Sequence, residues 1–132
     1  MIRLIINGIP PSNNKYMGKG SIFKHAHAYQ EEKRTWHMLI ASALVIAKQN
    51  LPAKIIKRLP FQKAMVQITY HFPDKRRRDP DNYSGKMLLD PLTEMGIIKD
   101  DSFDCIQLKI EGGYDKENPR TEIRITRLEG ER

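Results

Sequence analysis

The chain contains four segments in which apolar and polar residues alternate. In Ile2–Ile6 and Ala64–Phe72 every second residue is apolar, so these side chains lie on one side of an extended backbone. The segments Cys105–Glu111 and Thr121–Arg127 repeat this period. A two-residue period predicts β-strands with one buried face. Because Gly112 and Gly113 directly follow the third segment, the last two strands are predicted to form an antiparallel hairpin.

A helical spacing covers Tyr29–Asn50, a segment without glycine or proline. Its apolar residues recur every three or four positions from Trp36 through Ile40 and Leu44, which predicts a long amphipathic helix. Trp36 is interpreted as a core residue rather than a platform for stacked bases, because it begins the apolar stripe. The basic segment Lys15–Ala28 before this helix is predicted to be a hairpin or loop.

A second helix is predicted from Asn82 to Met95. Asp81 or Asn82 would cap its first turn, and Gly96 is the expected terminator. Pro91 lies inside this segment and is expected to kink the helix or divide it in two. The element order is therefore β-α-β-α-β-β, which predicts a two-layer α+β domain with its helices packed on a mixed or antiparallel sheet.

Length and composition predict the number of domains, the cellular location and the kind of binding partner. The 132 residues predict a single domain, residues 1–132, and no apolar run approaches the ~20 residues of a membrane span. Cys105 is the one cysteine, so a cytoplasmic location is predicted. The net charge is +7, and the first sixty residues carry ten Lys and Arg against two Glu. This basic half predicts a nucleic-acid partner.

Candidate chemistry is concentrated in the run of residues 75–82, KRRRDPDN. Side chains two positions apart point the same way in extended backbone, so Asp79 and Asp81 are predicted to converge on one hard cation. The basic residues before them would hold a polyanion above that cation. Asp100 and Asp101 supply a second carboxylate pair further along. A solvated, self-neutralised loop is the alternative interpretation of such a charge run.

Other metal sites fit this sequence poorly. An EF-hand loop starting at Asp79 would place Tyr83 at its fifth position and Ser84 where glycine makes the sharp turn. His25 and His27 have the spacing for two ligands on one side of a strand, but neither a cysteine nor a third histidine lies near them. The pattern therefore favours oxygen ligands over a zinc site.

Two blocks of this sequence resemble the RusA family of Holliday-junction resolvases. The first follows the amino-terminal strand and reads PPSNNKY, residues 10–16. The second contains RRRDPDN, residues 76–82, followed by Lys86, Asp90 and Gly96 and then by the corner Lys99-Asp100-Asp101. With comparable lengths between them, the two blocks cover most of the chain from residue 2 to residue 127.

The resemblance implies a small homodimeric endonuclease that binds four-way DNA junctions and cuts paired strands with Mg²⁺, for which Mn²⁺ would substitute. The family's metal-binding aspartates fall on Asp79, Asp81 and Asp101, with Asp100 beside the last. Its active-site lysine falls on Lys86. This chain departs from the family by one additional residue between Asp81 and the lysine and by proline at position 91.

A wider set of residues is predicted to contact DNA, and its members are short amides or cations near the two blocks. Amides position a nucleic-acid backbone without reading its sequence, although Asn and Ser after Pro-Pro also simply form turns. Cations interleaved with aromatic residues track phosphates while the rings stack on bases. The predicted DNA-binding residues are Asn13, Asn14, Lys15, Lys19, Lys24, Lys75, Arg76, Arg77 and Arg78.

Three questions stay open from sequence alone. The chain is either an endonuclease or a branched-DNA-binding protein without cleavage activity, and a nuclease of this kind would cut junctions or flaps. Phosphodiester hydrolysis by a divalent ion is favoured, because aspartates are the ligands that Mg²⁺ prefers. Asp101 acts either within its own chain or across a dimer. The break expected at Pro91 favours a site built from one chain, since it would fold the second helix back.

Overall fold

The computed structural model describes residues 1–13 and 21–128, with the backbone alone for residues 21–26. The four strands are β1 (Ile2–Asn7), β2 (Ala64–Phe72), β3 (Ile106–Tyr114) and β4 (Arg120–Arg127). The helices are α1 (Ser21–Gln49), the single turn α2 (Ala53–Ile56) and α3 (Lys86–Glu94). The α+β class and the β-α-β-α-β-β order are confirmed, with α2 as an added turn inside the predicted connector.

The strands form one mixed sheet in the order β1-β4-β2-β3. β4 is antiparallel to both β1 and β2, whereas β3 runs parallel to β2 at the edge. The predicted hairpin of β3 and β4 is therefore wrong, because β2 lies between them. Alternation identifies a strand and its buried face but carries no information about its neighbour, and here the chain crosses β2 before it pairs again.

The core lies between one face of the sheet and the helices. Every second residue of β2 is buried, and these side chains join Trp36, Ile40 and Leu44 of α1 in one apolar cluster. Trp36 is thus a core residue, as predicted. On the other face Glu122 accepts hydrogen bonds from Arg3 and Arg124. Among the described residues, no helix is long and apolar enough to cross a membrane.

Helix α1 begins at Ser21, eight residues before the predicted start. The expected hairpin or loop over Lys15–Ala28 is therefore wrong for residues 21–28, while residues 15–20 lie outside the described part. The signal was present, because Gly20 is followed by a run without glycine or proline that ends only at Pro52. Histidines and cations in the first two turns obscured the helical period.

The second predicted helix starts later than expected and is not broken. A 3₁₀ turn spans Pro80–Asn82, and α3 begins at Lys86 after Gly85, whose φ of 81° suits glycine. Neither Asp81 nor Asn82 caps it. The helix continues through Pro91, and the Met95 amide donates to the Pro91 carbonyl at 2.9 Å. Gly96, with φ of 74°, terminates α3 as predicted.

Helix α3 is the crossover between the parallel strands β2 and β3, and it separates the acidic segments. Residues 73–85 follow the carboxyl end of β2. Residues 95–105 lie at its amino end, where the Lys99 amide donates to the Phe61 carbonyl and the Ala64 amide donates to the Cys105 carbonyl. The topology thus places Asp79 and Asp101 at opposite ends of one strand.

Candidate metal centre and nucleic-acid interface

A hydrogen-bonded loop, residues 74–78 and here called the arginine loop, leaves the end of β2. The Asp74 carboxylate accepts the Arg76 amide at 3.1 Å and lies 2.9 Å from the Arg78 guanidinium. The Arg76 amide and the Arg78 side chain hold the pKa of Asp74 below its ordinary value. Sequence analysis missed Asp74, although its place four residues before Arg78 was the available signal.

Arg78 braces this loop from inside. Its side chain is 17% exposed, donates to the carbonyls of Asp74 and Arg76, and lies 4.3 Å from the centre of the Phe72 ring. A guanidinium with these partners fixes the backbone that leads into the carboxylates. Its predicted contact with DNA stays a prediction, and the structure adds a role in supporting the loop.

Three other cations of the cluster face outward. The Arg77 side chain is 85% exposed and lies 3.0 Å from the Asp79 carboxylate. Arg76 is also exposed, and Lys75 lies 5.0 Å from the centre of the Tyr114 ring. Exposed cations beside a carboxylate are available to phosphate oxygens, and together they attract a polyanion to this end of β2.

Residues 79–82, here called the acidic turn, present the first carboxylate pair. Asp79 is extended, Pro80 starts the 3₁₀ turn, and the Asn82 amide donates to the Asp79 carbonyl at 3.0 Å. Asp79 is half-buried and Asp81 is exposed. The predicted convergence of the two carboxylates on one cation stays a prediction, but their common turn is well braced.

Asn13 holds the acidic turn from the segment after β1. Its side-chain amide donates to the Asp81 carbonyl at 3.0 Å and to the Ser84 hydroxyl at 3.1 Å. This contact joins the two sequence blocks in space, because Asn13 belongs to the first block and Asp81 to the second. Asn13 was predicted to contact DNA, whereas here it positions the carbonyl of a candidate metal ligand.

An aromatic cluster anchors the acidic turn to the sheet. The Tyr83 ring lies 5.5 Å from the Tyr70 ring and 5.1 Å from the Phe72 ring. The Tyr70 hydroxyl is buried and has no hydrogen-bond partner among the described residues. Burial first, and Tyr83 second, raise the pKa of Tyr70, so the phenol stays protonated. An unpaired buried hydroxyl costs about 1–3 kcal/mol, which makes this group unusual for a purely structural residue.

A pocket of about 150 Å³ has Tyr70 among its lining residues. Its walls come from the segment after β1, from Tyr29 of α1, from Tyr70 of β2 and from residues 83–88. Lys86, the first residue of α3, is exposed and lies at this pocket. We call this cavity the Tyr70 pocket. The candidate active-site lysine thus lies at a pocket that Asn13, the residue bound to the Asp81 carbonyl, also lines.

The second carboxylate pair lies far from the first within one chain. Asp79 lines a small cleft with Tyr70 and Gly112, which are register partners near the carboxyl end of β2. Residues 99–105, here called the acidic corner, are hydrogen-bonded to Phe61 and Ala64. From Ala64 to Tyr70 the strand advances about 20 Å at roughly 3.3 Å per residue.

The described residues contain no group of three or more His, Cys, Asp or Glu side chains arranged to hold a metal ion. The preference for a site built from one chain stays a prediction. The break on which it depended is absent, because α3 is continuous through Pro91 and carries the chain away from the acidic turn. Asp100 and Asp101 are both exposed at the acidic corner.

Part of the predicted DNA-binding set lies outside the described residues. Asn14, Lys15 and Lys19 fall in the segment 14–20, and Lys24 belongs to α1 with its backbone alone described. Their contacts with DNA stay predictions. The described members are thus divided between exposed cations in the arginine loop and the positioning residues Asn13 and Arg78.

An α+β fold that presents paired carboxylates beside exposed arginines defines a candidate metal-dependent nuclease. The family model for endodeoxyribonuclease RusA matches residues 8–126 of this chain. The chain therefore belongs to the RusA family, and the predicted family and enzyme class are confirmed.

Individual relatives agree with the family match. A protein of Shigella sonnei named crossover junction endodeoxyribonuclease RusA is 33% identical over 97 residues, which cover 70% of this chain and 68% of the relative. Proteins with the same name from Escherichia coli strain K12 and from Enterobacteria phage 82 are each 32% identical over the same shares. The relatives thus include both bacterial and phage proteins.

Proposed function

We propose that this protein is a Mg²⁺-dependent endonuclease that resolves four-way DNA junctions by cutting paired strands, in DNA recombination and repair. The observation that carries the proposal is the braced acidic turn beside exposed arginines, in a chain of the RusA family. The names of the relatives, crossover junction endodeoxyribonucleases, supply the substrate class. A cytoplasmic site of action belongs to the same proposal and is supported by the free thiol of Cys105.

The donor chemistry of the acidic turn fits Mg²⁺, with Mn²⁺ as a substitute. Mg²⁺ is commonly held by one or two carboxylates and completes its shell with water and substrate phosphate. Asp79 and Asp81 would be these carboxylates. When bound, the ion would activate water and neutralise charge on the phosphate. Lys86 would offset further charge on the same phosphate, and Arg77 would hold a neighbouring one.

A second copy of the chain would complete this set of ligands. Asp101 lies at the other end of β2 from Asp79, so a partner subunit would bring its Asp101, with Asp100 beside it, to the acidic turn. We therefore propose a homodimer with two composite sites, each built from Asp79 and Asp81 of one subunit and Asp101 of the other. Two equal sites about one axis also suit a junction with symmetry-related strands.

Mixed dimers test this arrangement. Asp79→Asn and Asp101→Asn chains carry different tags, are co-expressed, and are purified through both tags. A composite arrangement leaves one site with both changes and one site intact, so the mixed dimer nicks the junction although each homodimer is inactive. A mixed dimer as inactive as both homodimers would contradict the composite site.

A substrate panel tests the reaction itself. The wild-type chain is incubated with a synthetic four-way junction, a flap and plain duplex, with and without Mg²⁺. Junction cleavage that requires the metal supports the proposal. Binding to the junction without cleavage at any metal concentration would indicate a branched-DNA-binding protein, and preferred cleavage of the flap would replace the proposed substrate.

A further inference from the structure

The edge strand β3 has one row of backbone groups that point away from the sheet. In the described part of the chain, β2 is the one strand beside it. The Ala64 amide donates to the Cys105 carbonyl, and the Asp115 amide donates to the Phe72 carbonyl. The odd-numbered residues of this segment thus face β2, because successive residues of a strand direct their backbone groups to opposite sides. The amides and carbonyls of the even-numbered residues from 106 to 114 therefore point outward, as a template for another strand.

The side chains of β3 are also those of an interface rather than of a protected edge. The strand is nine residues long and contains no proline, the residue that commonly blocks pairing at an edge. Leu108 and Tyr114 are 41% and 48% exposed, although their register partners on β2 are buried. On the other face of the strand, Lys109 and Glu111 are exposed charges of opposite sign. The free edge thus combines unpaired backbone, apolar surface and two complementary charges.

A second copy of β3 fits this edge in one antiparallel register. Two strands related by a two-fold axis pair about a residue that lies opposite itself. With Ile110 on the axis, Lys109 lies opposite Glu111 of the partner subunit, twice in each dimer. An axis at Lys109 or at Glu111 would instead oppose like charges. The Ile110 axis is also the one that pairs the whole of β3, since Ile110 is its central residue.

The same register places an apolar side chain at the cleft beside Asp79. Leu108 would lie opposite Gly112 of the partner subunit. Gly112 lines a cleft of about 100 Å³ together with Asp79, and the rings of Tyr70 and Phe72 form other walls. Because glycine has no side chain, the exposed Leu108 would have room to pack against these rings.

We infer that β3 is the dimer interface of this protein and pairs antiparallel with β3 of a second copy about Ile110, which joins the two sheets into one sheet of eight strands. The amino end of each β3 then lies beside the carboxyl end of the other. The acidic corner precedes β3, and the acidic turn lies near its carboxyl end. Each Asp101 would therefore come to the acidic turn of the partner subunit. The inference rests on the proposed homodimer and adds its surface and register.

A competing surface is the outer side of α1, where Met38, Val45 and Ile46 are 68%, 50% and 62% exposed. Helix α1 packs against β1, at the opposite edge of the sheet from β3. A dimer formed through α1 would thus leave the β3 edge free. The two surfaces make different predictions for chemical cross-linking.

Cross-linking of Ile110→Cys and Val45→Cys by a short bis-maleimide, without DNA or metal, separates the two surfaces. In the inferred dimer, the two α-carbons at position 110 lie about 5.5 Å apart. Ile110→Cys should therefore give a covalent dimer, whereas Val45→Cys should stay a single chain. The wild-type protein, with Cys105 alone, measures the background. Cross-linking of Val45→Cys and not of Ile110→Cys would overturn the inference.

Charge exchange tests the register. Lys109→Glu and Glu111→Lys each oppose like charges at both pairs, so each homodimer should dissociate with a Kd raised about tenfold. Mixed in equal amounts, the two variants should associate as heterodimers, since both pairs become attractive again. Sedimentation without DNA or metal measures the Kd, and Lys54→Glu, on α2, is the matched control. An unchanged Kd in both variants would overturn the inference, whereas a restored heterodimer that cannot cut a junction would count against the proposed reaction alone.

Discussion

The two ends of β2 carry the two acidic segments, and they are built differently. At the carboxyl end, side chains from three parts of the chain hold the acidic turn: Asn13, Tyr83 and the arginine loop. At the amino end, backbone hydrogen bonds to Phe61 and Ala64 fix the acidic corner. Within the described ranges, no side chain bonds to the carboxylate of Asp100 or Asp101.

The proposed composite site would account for this contrast, with one half held within its own chain and the other half brought by a partner. A carboxylate without fixed partners stays hydrated until another group approaches it. The carboxylate of Asp101 is of this kind. Phe103, two residues later, is fully exposed as well. In the proposed composite site, the acidic corner of one subunit would complete the site, and the acidic turn of the other would receive it.

The largest expected effect comes from the acidic corner. Asp101→Asn should lower junction cleavage by at least about a hundredfold, because a charged ligand of the metal is lost, while junction binding stays equal or becomes tighter. Cleavage rates and gel shifts measure the two properties. Asp104→Asn changes another exposed carboxylate of the same corner and should keep its activity. Retained cleavage in Asp101→Asn would remove this end of β2 from the site.

The support of the acidic turn should matter less than its carboxylates. Asn13→Ala removes the contacts with Asp81 and Ser84, so cleavage should fall roughly tenfold at low Mg²⁺, the range seen when a support of a metal ligand is lost. A Mg²⁺ titration should show partial recovery at high metal concentration. Asn50→Ala, at the end of α1, is the matched control. A uniform loss at every Mg²⁺ concentration would speak against a positioning role.

Arg77 and Arg78, at the carboxyl end of β2, should differ in what their removal changes. Arg77→Ala removes an exposed cation, so junction affinity should fall a few-fold and the slope of log K against log salt should decrease by about 1 per subunit. Arg78→Ala removes the internal brace, so it should lower thermal stability more than it changes the slope. Binding titrations from low to high salt, with melting curves, measure both. The same slope in wild type and Arg77→Ala would exclude a phosphate contact.

The smallest expected effect is a pH-dependent change in thermal stability, which should occur at the carboxyl end of β2 and not at its amino end. The pKa of Asp74 lies below its ordinary value of 3.8, so its hydrogen bonds stabilise the loop above that value. This stabilisation is lost as pH falls through the lowered pKa. Asp74→Asn should therefore lower Tm by no more than a few degrees at pH 7 and have little effect at strongly acidic pH. Asp100→Asn, at the amino end of β2, should leave Tm unchanged at both pH values. Equal shifts in the two variants would erase the contrast.

Local signals in this sequence predicted part of the local structure, although the cap at Asp81 or Asn82 and the break at Pro91 were wrong. The strand periods, the terminator at Gly96 and the core position of Trp36 all depend on residues close in the chain. The neighbour of β3 could not be predicted, because two alternating segments look the same whether they pair directly or are separated by a third strand. The role of Asn13 was also out of reach, since its partner lies 68 residues away. The residue type was recognised, but its target was not.

The pairing of β1 with β4 has a consequence for how the chain becomes a folded protein. Ile2 is the register partner of Ile125, so more than a hundred residues must be synthesised before β1 has a neighbour. At roughly 5–20 residues per second, the first strand waits for several seconds with its hydrogen-bonding groups unpaired. Since β4 lies between β1 and β2, the first strand joins the β2–β3 pair only through this late strand, and such long-range pairing folds slowly. An incomplete chain that stops before β4 would therefore carry the acidic turn and the acidic corner at the two ends of β2 without the strand that joins β2 to β1.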